Sequence, residues 1–237
     1  MTIKAVLFDL DGTLLPMDQD IFVKSYFGGI SKKMLTRGYD PKKLIESIFL
    51  GTYEMIKNPG NKINEQVFWD KMVSIYGETI LDETKYFDEF YIESFDNIKM
   101  VCGYKPEAKQ VIDLCKGKGL KVVLATNPIF PAIATKKRIK WAGLNEEDFE
   151  IITTYDNSSY CKPNLKYYET ILKELNVLPE ECLMVGNDVG DDMVVTNLGM
   201  KVFLLTDCLI NPKNVDTNQY PNGTFDSLLT FINEINK

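Results

Sequence analysis

The sequence predicts an α/β fold: a parallel sheet covered by helices on both faces, interrupted after its first strand by an all-helical insertion. Two observations carry this. Short apolar runs at 2–8 (TIKAVLF), 120–126 (LKVVLAT), 182–186 (CLMVG) and 201–205 (KVFLL) alternate with helical periods, and buried strands that alternate with helices build parallel sheets. Residues 18–98, by contrast, hold almost no β-branched runs and several helical periods.

Taken in order, strand 2–8 is followed by insertion helices near 19–36, 41–57, 64–76 and 82–95, punctuated by Gly38, the Asn58-Pro59-Gly60 turn and Gly77. Gly28-Gly29 is expected to interrupt the first of them. A helix over 106–117 leads to strand 120–126, and helices over 133–141 and 165–175 lead to strand 182–186. Residues 192–198 then read as a short helix before strand 201–205. A polar loop, 211–223, precedes a last helix, FDSLLTFINEI. The division is a core of 1–17 plus 99–237 and a helical cap of 18–98, with adjacent linkers near Pro16-Met17 and Met100-Gly103.

Composition limits the chemistry. With 237 residues, 45% of them hydrophobic, the chain can bury a substantial core. Its 34 acids against 27 bases, a formal charge of −7, argue against a general nucleic-acid or anionic-membrane binder. Met1 to Pro16 has no basic region ahead of its apolar run, which two Asp break, so neither a signal peptide nor a membrane span is expected and a cytoplasmic location is. The five cysteines are scattered without a CxxC pair and read as reduced thiols. Histidine is absent, which removes His-based triads, bases and metal ligands together. Proton transfer must fall to carboxylates, Lys, Tyr or Cys.

Ligands of open α/β sheets bind beyond the carboxyl ends of the strands. Those ends carry Asp9 and Asp11, then Thr126 and Asn127, then Asp188, Asp191 and Asp192, while Lys162-Pro163 lies in the loop before the helix at 165. Clustered carboxylates cannot all ionise without a neutralising cation. Oxygen ligands point to a hard ion, Mg²⁺, which shares its shell with substrate phosphate. Gly12 lets the backbone turn directly after Asp11, so both acids can face one reacting group.

The segments DLDGT (9–13), Thr126-Asn127, Lys162-Pro163 and GNDVGDD (186–192), in that order, resemble the four motifs of the haloacid dehalogenase superfamily. The helical insertion is similar to the C1 cap of its phosphoglycolate phosphatase-like members. The resemblance implies a Rossmann-like core, with Asp9 as a nucleophile that forms an aspartyl phosphate. Asp11 would protonate the leaving alcohol and later deprotonate water. The superfamily's phosphatases and phosphomutases carry Asp there and its dehalogenases do not. Thr126, Asn127 and Lys162 would bind the phosphoryl group, Lys162 also balancing its charge. Mg²⁺ would be held by the Asp9 carboxylate, the Asp11 backbone carbonyl and Asp188, with Asp192 as the second acid of the fourth motif.

Two motifs depart from the usual pattern. In the fourth, Asn187/Asp191 and Asp188/Asp192 both have the right spacing; the second pair is preferred because carboxylates satisfy a hard ion better, and Asp191 remains open. The third reads YCKPNL where G-x-K-P-x-P is common. The expected function is Mg²⁺-dependent hydrolysis of a small phosphorylated metabolite, such as a sugar phosphate or nucleotide, with no nucleic-acid or membrane partner. A phosphomutase and a catalytically silent phospho-ligand-binding module are the alternatives. Cap aromatics such as Phe22, Tyr26, Phe27, Phe68, Trp69 and Phe87 read mostly as interhelical core. Lys32, Lys33, Arg37, Lys42, Lys43, Lys57 and Lys62 read as a solvated face, any one of them free to meet an anionic substrate.

Overall fold

The computed structural model describes residues 2–236. Strand β1 (Ala5–Phe8) is central in a six-stranded parallel sheet that also contains β2 (Lys121–Leu124), β3 (Ile151–Ile152), β4 (Cys182–Gly186), β5 (Lys201–Leu205) and β6 (Asn222–Gly223), in the order β3-β2-β1-β4-β5-β6. The two edge strands were not expected. At two residues each they are too short to show any period.

Alternation along β1 assigns the two faces. Val6 and Phe8 pack with helices α5 (Glu107–Gly117), α6 (Ala132–Trp141) and α8 (Phe225–Glu234), whereas Ala5 and Leu7 pack with α7 (Leu165–Leu175) and the 3₁₀ turn Met193–Leu198. That turn stands where the sequence suggested a helix over 192–198.

The insertion comprises α1 (Gln19–Leu35), α2 (Pro41–Ile56), α3 (Asn64–Tyr76) and α4 (Thr84–Glu93). Asp18 caps α1 by accepting the Ile21 N–H, and Asp40 caps α2 through Lys43 N–H, with Pro41 in the first turn. The fourth expected helix is shorter than 82–95 and lies between 3₁₀ segments at Glu78–Glu83 and Phe95–Val101. Gly28 and Gly29 do not interrupt α1. Gly29 instead admits the Phe90 ring, which a Cβ there would meet at 2.8 Å.

Insertion and sheet domain share one apolar cluster and are tied by hydrogen bonds at three places, one of them at α6, where Lys137 Nζ donates to Ile92 O at 2.8 Å and Trp141 Nε1 to Asp96 Oδ1 at 2.9 Å. The linkers run side by side, Met17 bridging Cys102 and Gly103 N–H donating to Pro16 O at 2.7 Å. Away from them, the start of α3 donates Asn64 N–H to Ser158 O at 2.8 Å and Glu65 N–H to Tyr155 O at 3.0 Å. The Asn64 side chain adds a bond to Pro128 O at 3.1 Å. Among the described residues, no helix is long and apolar enough to cross a membrane.

Candidate active site

Parallel register brings the strand ends level. Phe8 lies opposite Leu124 and Val185, so Asp9 emerges beside Ala125 and Gly186, its N–H donating to Val185 O at 2.9 Å. The chain then turns at Gly12, whose φ of +84° suits glycine and whose missing Cβ leaves room for the Asn187 side chain. Asn187 joins the first and fourth loops: its Oδ1 accepts from Thr13 Oγ1 at 2.8 Å and its Nδ2 donates to Cys208 O at 2.7 Å. The asparagine that departed from the expected motif is thus a strut between loops.

Lys162 is the electrostatic centre. Only 2% exposed, it places Nζ 2.9 Å from Asp9 Oδ1 and 2.6 Å from Asp192 Oδ1. Burial works against its charge, but Asp192 and Asp9 outweigh burial and hold it protonated well above the ordinary lysine range. Both Asp192 oxygens are taken, since Oδ2 accepts the Asp188 N–H at 3.0 Å. Asp188 is half-buried, and its Oδ1 accepts from Gly190 and Asp191 N–H at 2.7 and 2.9 Å. Asp191 receives Asn127 Nδ2 at 3.3 Å and is pushed up to about 6 by burial, Lys162 opposing and Asp188 adding to the rise.

Asp11 meets a partner that the sequence reading did not single out. Arg138, on α6 and wholly buried, forms an ion pair with Asp11 Oδ2 and lies 4.4 Å from the Phe130 ring centroid. Burial raises the Asp11 carboxyl and Arg138 opposes the rise. Asp11 Oδ1 is buried without a partner. A weak signal for Arg138 existed: three of its neighbours one turn away, Ala134, Trp141 and Ala142, are apolar, and in the structure all three are buried with it.

Thr126 is held from behind, its carbonyl accepting Thr153 Oγ1 at 2.7 Å and Tyr167 OH at 2.9 Å. All the residues singled out at the strand ends, Asp9, Asp11, Thr126, Asn127, Lys162, Asp188, Asp191 and Asp192, line one cavity of about 420 Å³. Its far side is insertion. None of the seven basic residues noted in the cap lines it; Lys33 pairs with Glu89 and Glu93, Arg37 with Glu83 and Lys62 with Asp70 on the surface.

Residues 3–194 match the family model of haloacid dehalogenase-like hydrolases. The chain belongs to that family. Over 207 residues the hydrolase is 26% identical to the glyceraldehyde 3-phosphate phosphatase of Methanothermobacter thermautotrophicus, which covers 86% of this chain and 85% of the relative. It is 24% identical to the pyrophosphatase PpaX of Bacillus cereus over 201 residues, 85% and 82% of the two chains. A HAD phosphatase crystal structure from Thermococcus onnurineus superposes with a TM-score of 0.59 at 18% identity, over 97% of the hydrolase and 98% of that chain. That last likeness is one of fold. The hydrolase therefore has the family's core, and its cavity opens at the carboxyl ends of its own strands.

Proposed function

We propose that the hydrolase is a Mg²⁺-dependent phosphatase that cleaves a small phosphomonoester through an aspartyl phosphate on Asp9, with residues 18–98 as its cap and the remainder as its core. The observation that carries the reading is the pairing of Asp9 with Lys162, beside a second carboxylate, Asp11, two residues on. Names of relatives as phosphatases agree with it.

The donor set suits the ion. Among the described residues no three His, Cys, Asp or Glu side chains form a ready metal cluster. Two carboxylates, Asp9 and Asp188, and the Asp11 backbone carbonyl instead offer hard oxygens, a short set that fits an ion which keeps waters and shares phosphate oxygens. Asp192 serves better as the counter-charge of Lys162 than as a ligand, since both its oxygens are engaged. When bound, Mg²⁺ would supply positive charge that offsets the phosphate and carboxylate charges and would act as a Lewis acid toward the phosphoryl group.

In the first step an Asp9 oxygen attacks phosphorus and the bond to the alcohol oxygen breaks, with Asp11 donating the proton that the departing alkoxide needs. In the second, water attacks the same phosphorus, Asp11 takes its proton, and the bond to Asp9 breaks to release phosphate. Lys162 stabilises charge on the phosphoryl oxygens throughout. Thr126 and Asn127 supply hydrogen bonds to that group. The test is phosphate release from a panel of phosphomonoesters with and without Mg²⁺, beside Asp9→Asn. Metal-dependent release that Asp9→Asn abolishes is expected; release by that variant at the parent rate rules the mechanism out.

A further inference from the structure

The insertion's wall of the cavity is apolar to a degree that the floor is not. Phe22, Phe27, Phe49, Trp69 and Phe87 line it, and Phe130 joins them from the core. The wall's few hydroxyls are turned largely to the protein: Tyr26 and Tyr91 share a hydrogen bond of 2.9 Å, which uses one of their two O–H donors, and Thr52 donates to Ile48 O at 2.9 Å. Gln19 is, among the described residues, the one amide side chain that the insertion adds to the lining. Among the described residues, the one charged side chain that the insertion contributes to the lining is Asp88, a carboxylate.

Charge arithmetic points the same way. Lys162 is the only cation among the described lining residues, and Asp9 and Asp192 already hold it. Arg138 is committed to Asp11 and is not among the lining residues. A phosphoryl group seated on the floor uses what positive charge there is. A second anionic group at the aromatic wall would face Asp88 without a counter-ion, and a sugar's several hydroxyls would find few partners there, a Tyr26 or Tyr91 O–H, Gln19 and Asp88, for the water they lose. An apolar body instead gains burial against the rings.

Resting on the phosphatase reading above, we infer that the substrate is the phosphomonoester of an apolar alcohol, of aromatic or branched aliphatic body and with no second anionic group. Sugar phosphates, phosphorylated carboxylic acids and pyrophosphate are the wrong class for this wall. A cavity of about 420 Å³ is of small-ligand size, roomy enough for a phosphate and one ring system.

The experiment measures kcat/KM with Mg²⁺ for 2-phenylethyl phosphate and 3-methylbutyl phosphate against phosphoglycolate, glucose 6-phosphate and pyrophosphate. The two apolar primary-alcohol esters are expected to lead by about a hundredfold, the burial of one ring or branched chain. A lead of less than tenfold, or the reverse order, overturns the inference while leaving the phosphatase reading intact. Trp69→Ala should erase much of the lead of the phenylethyl ester. Thr52→Lys, which puts a cation into the wall, should raise phosphoglycolate turnover at least tenfold relative to the phenylethyl ester; with both variants folded by circular dichroism, an unchanged ratio in both overturns the inference. If no phosphomonoester, p-nitrophenyl phosphate included, is hydrolysed, the phosphatase reading falls. Calorimetric binding of the same esters to the Mg²⁺-loaded protein then tests the wall's preference for an apolar ester apart from turnover, tighter binding of the phenylethyl ester supporting that preference and tighter binding of phosphoglycolate overturning it.

Discussion

The two walls of the cavity are built on opposite principles. The floor, at the strand ends, concentrates Asp9, Asp11, Asp188, Asp191 and Asp192 near Lys162, whose Nζ holds Asp9 and Asp192 while Asp188 accepts the backbone N–H of Asp191 and Asp11 pairs with Arg138. The roof, from the insertion, is aromatic and carries one acid. Polar networks fix geometry because each bond has a direction, while apolar contacts scale with area and tolerate shape. Damage to the floor should therefore depress every substrate alike, and damage to the roof should reorder them.

The sharpest break comes at Asp9. Asp9→Asn keeps the shape and removes the proposed nucleophile, so turnover should fall at least about 10⁴-fold for all esters, as removal of a covalent nucleophile does. Steady-state kinetics on an apolar and a polar ester together check that the fall is uniform.

Lys162→Met comes next, and it strikes stability as well as rate. It leaves Asp192 buried beside Asp9 without compensation, which should cost about 3 kcal/mol in urea unfolding, the scale for breaking a buried ion pair, with a fall in kcat of about a hundredfold or more. Full stability in this variant would mean that the floor does not need its central charge.

Arg138→Met probes the link between the walls, for α6 carries the cation while Asp11 carries the proposed acid and base. The expected loss is about a hundredfold in kcat, the lower range of an acid–base contribution, with little change in the order of substrates. A reordering would assign Arg138 to the roof.

The smallest effect is on pH dependence. Asp191 titrates near 6 in the folded chain, above its ordinary value because of burial, so its contribution to stability is present below about pH 4 and is lost as pH rises through about 6. Asp191→Asn should accordingly gain melting temperature over the parent on going from pH 4 to pH 7 in metal-free buffer. A difference that does not change with pH would show that Asp191 is not the strained member of the floor.

The floor was legible in the sequence and the roof was not. Acids placed directly after apolar runs can be read because strand ends of a parallel sheet converge, and register does the rest. Asp192 was legible as part of the fourth motif, but its engagement with Lys162 depends on how a loop folds back, which spacing does not disclose. Aromatic residues at helical spacing look identical whether they face a neighbouring helix or a cavity: Phe90 is interhelical core, and Phe27 and Trp69 line the site. Arg138 was missed for the converse reason, a charge on a helix being usually solvated. The cap's basic residues read as a solvated face with any one of them free to meet a substrate, and none of the seven is in the cavity lining.

The position of β1 has a consequence for how the protein acquires its shape. Its neighbours across the sheet are reached only when Ala5 meets Lys121 on one side and Cys182 on the other. The insertion helices, whose partners are near in sequence, close short loops, whereas β1 must wait for pairings of very high sequence separation. Local closure is thus expected to favour early formation of the helices, and the turn that carries Asp9 is expected to take shape when the distant strands dock. A protein caught midway would present a formed roof over an unformed floor, with the apolar edge of β1 exposed to chance pairing until β4 arrives.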